Sequence, residues 1–191
     1  MNRALIVIAL LASTGAMADS SAPVQNNASI HNSGAQYNGI LDINQAAGDQ
    51  SQQANVRAIA TGGSATTRVD QHIDTPANPS THASATIGGN SFSNGNGVLG
   101  VNQSAGAGNQ MANALRISIG AAPQGVDDSA LSQQNVAVSA ASSGATGTSH
   151  GSRQVVTSDQ AFTGSSGVIQ VNQSAGVGNS MANTLSIRVA N

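Results

Sequence analysis

The side chains that recur at fixed spacing in this 191-residue sequence are amides. Asn44-Gln45, Asn102-Gln103 and Asn172-Gln173 each sit in an apolar-Asn-Gln-Ser/Ala-Ala-Gly context, and Asn55, Asn113 and Asn183 follow the three pairs at one constant distance. An amide carries both a donor and an acceptor, so like amides set above one another can bond from each to the next along a column. Such chemistry joins copies and transforms nothing. Groups suited to covalent or acid–base work are poorly placed. The eight acidic residues, all Asp, are scattered, and His31, His72, His82 and His150 show no metal-ligand spacing. The serines lack a G-x-S-x-G context with a plausible order of His and Asp, and no Gly-Lys-Ser/Thr follows GAGNQ or GVGNS. The expectation is therefore no enzyme, no cofactor and no metal.

Stacked amides need segments that present them in register, and the sequence contains three. Gly97 to Ile119 (GVLGVNQSAGAGNQMANALRISI) and Gly167 to Val189 (GVIQVNQSAGVGNSMANTLSIRV) agree at 15 of 23 positions without a gap. A more divergent copy runs from Gly39 to Thr61 (GILDINQAAGDQSQQANVRAIAT). Leu99, Val101 and Gln103 alternate with Val98, Gly100 and Asn102, which is the two-residue period of a strand. A Gly-rich turn follows, with Gly48 in the first copy, Gly106 and Gly108 in the second, and Gly176 and Gly178 in the third. Beyond it Met111, Asn113, Leu115 and Ile117 alternate again. Met, Ala and Leu would locally also suit a helix, but the β-branched Ile117, Ile119, Ile187 and Val189 favour a strand. Each repeat thus reads as strand, turn, strand. The apolar positions expected to form its core are Leu41, Ile43, Leu99, Val101, Leu115, Ile117, Ile169, Val171, Leu185 and Ile187.

Three columns of amides follow: Asn44, Asn102 and Asn172; Gln45, Gln103 and Gln173 on the opposite strand face; and Asn55, Asn113 and Asn183. Ionised groups stacked in the same column would repel. Asp42 and Asp49 occur in the first copy alone, and Arg57, Arg116 and Arg188 fall at three different repeat positions. The fold class expected is all-β, as stacked β-arches or a β-solenoid of cross-β type, with flexible polar linkers. The segments are a secretory signal at 1–18, an N-terminal stretch at 19–38, repeats at 39–61, 97–119 and 167–191, and linkers at 62–96 and 120–166. Pro76, Pro79 and Pro123 all fall in linkers, where a missing backbone N–H harms no sheet.

The signal is expected from Arg3, the apolar run from Ala4 to Leu11, and small residues up to cleavage after Ala18. An exported chain with no cysteine has no disulfides, so packing and hydrogen bonds must hold it. Charged residues make up 7% with a net charge of −2, which leaves no basic footprint for nucleic acid. Aromatics make up 2%, too few for an isolated compact core of the usual kind. The chain before assembly is accordingly expected to be largely disordered.

The signal, the three spaced repeats, and the Asn-Gln-Ser/Ala-Ala-Gly motif followed by Ala-Asn together resemble the Fap functional amyloid family. The specific part of the likeness lies in the repeats, while the organisation extends over the whole chain. The resemblance implies extracellular fibres that support biofilm, self-assembly, export through a dedicated outer-membrane pore, and a related major fibre subunit as partner. Some members carry a paired-cysteine motif near the C-terminus, and this chain has none. Its short linkers fit the family's minor, nucleating subunit. Curli subunits also place Gln, Gly and Asn at turn and ladder positions, but without long linkers. A soluble secreted β-solenoid adhesin is the alternative, and it would fold as a non-seeding monomer.

Overall fold

A computed structural model describes residues 24–73, 82–120 and 151–189 together with a short strand at 131–133. The signal segment with Ala18 and the prolines of the linkers lie outside the described residues. Eleven strands follow in chain order: β1 (Gln25–His31), β2 (Asn38–Ala47), β3 (Gln52–Thr61), β4 (Val69–Gln71), β5 (His82–Gly88), β6 (Asn96–Ala105), β7 (Gln110–Ile119), β8 (Leu131–Gln133), β9 (Arg153–Thr157), β10 (Ser166–Ala175) and β11 (Ser180–Val189). The structure is all-β.

The strands pair in parallel across the repeats and not within them. One sheet is ordered β1-β5-β9, a second β10-β6-β2, and a third β11-β7-β3. Register follows the sequence alignment residue for residue, so that Asn44, Asn102 and Asn172 align, as do Asn55, Asn113 and Asn183. Each repeat, with the strand that precedes it in the chain, is therefore one rung that winds through three sheets. Rung 1 is β1-β2-β3, rung 2 is β5-β6-β7 and rung 3 is β9-β10-β11. The Gly-rich turn joins strands of different sheets, which makes it an arch and not a hairpin. The segment over 110–119 is strand, as its β-branched residues require, and its local helix preference yields to pairing on both sides.

The sheet β1-β5-β9 departs from the expected layout. It is built from the N-terminal stretch and the two linkers, whose later parts belong to the stack and are not flexible spacers. Ala28-Ser29-Ile30 aligns with Ala85-Thr86-Ile87, and the alternating Ala and Ile side chains turn inward. This layer packs against the second sheet. Ala28, Ala83, Ala85 and Ala105 fill one end, while Ile30, Ile87, Phe92, Leu99 and Val101 fill the other. A fourth, two-stranded sheet pairs β4 with β8 in parallel, and the Gln71 side chain donates to the Met111 carbonyl at 3.0 Å, which lays this segment along the third sheet.

The apolar positions read from the repeats divide between two layers. Leu41, Ile43, Leu99, Val101 and Val171 join Ile30, Ile87 and Phe92 between the first and second sheets. Ile169 stands in the same column as Leu99 but on the terminal rung, and is exposed. Leu115 is buried in the third sheet, whereas Ile117, Leu185 and Ile187 are half-buried. Burial is greatest in rung 2, which has a neighbour on either side, and falls at rungs 1 and 3.

Glycine is required where rungs approach closest. Gly48, Gly106 and Gly176 have φ of 110°, 106° and 139°, and a Cβ on Gly106 would run into the carbonyl of Gly176. Two residues later Gly108 and Gly178 adopt φ of 66° and 70°, but the first repeat holds Gln50 there at 56°. A left-handed conformation costs a non-glycine residue about 1 to 2 kcal/mol. Gln50→Gly is expected to relieve it, with part of the gain offset by a freer unfolded chain. A net of roughly 0.5 to 1 kcal/mol would lower the soluble concentration left beside mature fibres about two- to fivefold, and an unchanged or higher residual concentration would contradict the strain.

Candidate functional site: the amide ladders and the end rungs

The features that set this molecule apart from an ordinary sandwich are its three amide columns. Asn102 Nδ2 donates to Asn44 Oδ1 at 2.9 Å, and Asn172 Nδ2 to Asn102 Oδ1 at 2.9 Å. Asn113 Nδ2 donates to Asn55 Oδ1 at 2.9 Å, and Asn183 Nδ2 to Asn113 Oδ1 at 3.0 Å. Gln103 Nε2 donates to Gln45 Oε1 and Gln173 Nε2 to Gln103 Oε1, both at 2.8 Å. In every column the later rung donates to the earlier one.

The two asparagine columns also bond to each other across the gap between the second and third sheets. Asn55 reaches Asn44 at 3.0 Å, Asn113 reaches Asn102 at 3.1 Å, and Asn183 reaches Asn172 at 3.0 Å. Five of these nitrogens have a further acceptor on the backbone of the facing strand: Ile43 for Asn55, Ala54 for Asn102, Ala112 for Asn172, Val101 for Asn113 and Val171 for Asn183. Those carbonyls fix which end of these five amides is nitrogen. Asn102, Asn113 and Gln103 are fully buried, and burying an amide is tolerable only when its hydrogen bonds are met. The glutamine column performs the same service on the other face. Gln45, Gln103 and Gln173 donate to the carbonyls of Ser29, Thr86 and Val156, which ties the first sheet to the second.

Sequence reasoning from the repeats alone overlooked several members of the stack. Asn109 is buried at the arch, donating to the Gly176 carbonyl at 3.1 Å and accepting from Asn179 Nδ2 at 2.8 Å. Phe92 and Phe162 stack with centroids 5.4 Å apart, and both adopt positive φ at the turn before the second sheet, aligned in sequence offset with Gly34. The signal for them was present, because Phe92 and Phe162 are separated by the same 70 residues as Asn102 and Asn172. A column of turn glycines opens the second sheet as well. Gly39, Gly97 and Gly167 have φ of 94°, 130° and 109°, and a Cβ on Gly97 or Gly167 would strike the carbonyl of the glycine one rung below.

Among the described residues, no strand pairs with the outer side of either end rung. β1, β2 and β3 form one edge and β9, β10 and β11 the other, so each terminal rung offers a row of backbone N–H and C=O groups to a further strand. A Cβ on Gly39, at the outer side of rung 1, would meet nothing within 4 Å. The outer face of the first sheet carries a shallow polar depression that includes His82 and Ser152. The Ser152 backbone N–H donates to His82 Nδ1 at 3.0 Å, so that nitrogen is not a free base for the Ser152 hydroxyl, 2.9 Å away.

No solved structure matches the chain. A model of the functional amyloid protein FapB/FapC family matches residues 10–190, nearly the whole sequence. Parallel rungs, in-register amide columns and open ends are the anatomy of a cross-β assembler, and the chain belongs to the functional amyloid protein FapB/FapC family.

Proposed function

We propose that this protein is the minor, nucleating subunit of extracellular biofilm fibres. It is exported through the periplasm and an outer-membrane pore, and it extends by seating rung 1 of one copy on rung 3 of another. The observation that carries the reading is that three like rungs already stack within one chain, with no strand among the described residues pairing either outer edge. Stacking is slow to begin because the first layers pair non-local segments before contacts reward the lost entropy. Here covalent linkage places the second and third layers at high effective concentration. One folded chain is thus a three-layer template, and a related major fibre subunit with the same ladder positions is the partner that would elongate from it. The monomer before assembly is largely disordered, since the end rungs leave half their surface unpaired.

Sonicated fibres of the mature chain, added at about one part in a hundred to a related major subunit, are expected to abolish most of its thioflavin lag, since seeds bypass the costly first layers. An undiminished lag would overturn the nucleating role. Failure of the purified chain itself to form fibres with reflections near 4.8 and 10 Å would overturn the fibre reading altogether.

A further inference from the structure

The interface between the second and third sheets holds an ion pair that lies entirely in rung 1. Arg57 Nη2 pairs with Asp42 Oδ1, and the side chain of Arg57 is only 10% exposed. Its other terminal nitrogen, Nη1, donates to Gln170 Oε1 at 3.0 Å, two rungs away. The guanidinium reaches that far because the intervening residue is Gly100. A Cβ there would meet Arg57 Nη2, and would lie 2.6 Å from Asp42 Oδ1 and 2.7 Å from Asn55 Oδ1. Gln170 is buried, and its nitrogen is committed to the Ala114 and Asn183 carbonyls at 3.2 and 3.3 Å, which leaves its oxygen aimed at Arg57.

Along this column the residues run Asp42, Gly100, Gln170, and along the facing column Arg57, Leu115, Leu185. The three rungs are therefore not interchangeable here, although they are at the amide columns. From this we infer that Asp42, Arg57, Gly100 and Gln170 form a register key that orders the rungs 1-2-3 and, between copies, admits rung 3 against rung 1 while refusing rung 1 against rung 1. The inference rests on the proposed end-to-end stacking of copies. If like rungs stacked on like, each Arg57 would find an Asp42 side chain where it needs the slot of Gly100. Two carboxylates and two guanidiniums would also stand about 4.8 Å from their own kind. In the ordered stack like charges recur every third rung, about 14 Å apart, beyond the Debye length of roughly 8 Å at physiological salt. The partner this surface selects is a second copy in one orientation and one phase.

A single cysteine at Ser29, on the exposed face of β1 of this cysteine-free chain, carries a nitroxide to test the phase. In fibres of the otherwise native chain the labels are expected about 14 Å apart, giving a broadened three-line spectrum, whereas like-on-like stacking would bring them to about 4.8 Å and collapse it to one exchange-narrowed line. Asp42→Gly with Arg57→Leu makes rung 1 match rung 2 at both positions and rung 3 at the second, and removes both charges. Fibres of this double variant are expected to form and to show the narrowed component raised at least about tenfold, since the phase is then unspecified. Gly100→Ala is expected to slow assembly about tenfold in the native background and by a clearly smaller factor in the double variant, where only the Asn55 oxygen, 2.7 Å away, still crowds the added Cβ. A narrowed line in native fibres, an unchanged spectrum or no fibres in the double variant, or equal slowing in both backgrounds would overturn the key. Absence of fibres from the native chain would instead sink the stacking on which it rests.

Discussion

Asn102→Asp is expected to raise the soluble concentration at equilibrium with fibres by between about a hundredfold and a few thousandfold. The Asn102 nitrogen donates to Asn44 Oδ1, to the Ala54 carbonyl and to Asn55 Oδ1, at 2.9, 2.9 and 3.2 Å. A carboxylate in its place faces three acceptors with no proton to offer, at a site with no exposure. An uncompensated buried charge costs about 3 to 5 kcal/mol, and every 1.4 kcal/mol is a factor of about ten in the residual concentration. Asn102→Ala removes the donors without adding charge and is expected to cost less, about 1 to 3 kcal/mol for the partners left unsatisfied.

The aspartate variant carries its own internal control. Burial among acceptors raises the carboxyl pKa in the assembled state above its value of about 3.9 in the free chain. Below the free-chain value both states are protonated and the penalty is absent. It grows as pH rises past that value and is complete above the assembled pKa. Assembly of the variant is therefore expected to recover towards pH 3, with the recovered acid now donating one hydrogen bond. Thioflavin kinetics and residual soluble protein across pH 3 to 7 check this, and a pH-independent defect would mean that the damage is steric and not electrostatic.

Gly106→Ala is the second large effect, and its cause is geometric. The residue has φ of 106° in the central rung, and its Cβ would overlap the carbonyl oxygen of Gly176. Conformational strain alone accounts for about 1 to 3 kcal/mol. Relief of the overlap would have to push rung 3 away from rung 2 at the arch, where the Gly176 N–H donates to the Ala105 carbonyl at 2.9 Å and Asn109 donates to the Gly176 carbonyl at 3.1 Å. A total above about 4 kcal/mol is expected, in the range that abolishes fibres at micromolar concentration. Gly62→Ala is the matched comparison, since Gly62 also has positive φ, at 74°, but faces open space. It is expected to cost about 1 kcal/mol. Comparable losses in the two variants would show that stacking distance does not govern the glycine requirement.

How much of this was legible beforehand depended on whether a rung's residues are alike across copies. The second and third sheets could be read because Asn, Gln and Gly must be identical from rung to rung: a ladder needs the same amide at each level, and a close approach tolerates no Cβ. The first sheet was missed because its inward side chains, Ala28, Ala85 and Val155 or Ile30, Ile87 and Thr157, need only be small or apolar. Such positions drift without breaking a bond, and rungs 1 and 2 pair in this sheet at an offset of 57 residues, not the 58 that the amides give, so the amide spacing would have set them one position out of register. The Asp42–Arg57 pair was read as charge kept out of matching positions, which is true of its column. Its reach to Gln170 depends on the vacancy at Gly100, a property of three rungs together that no single repeat displays.

The uniform donation from later rung to earlier rung gives an assembled rod a sense of direction. Each side-chain amide is a small dipole, and in all three columns the dipoles point the same way and polarise one another along the chain of bonds. One tip of the rod thus presents carbonyl oxygens and the other amide hydrogens, so an arriving copy meets a different chemistry at each tip and the two elongate at different rates. A rod held to a surface by one tip exposes only the other. The way round in which the first copy is held would then set the speed at which every later copy is added.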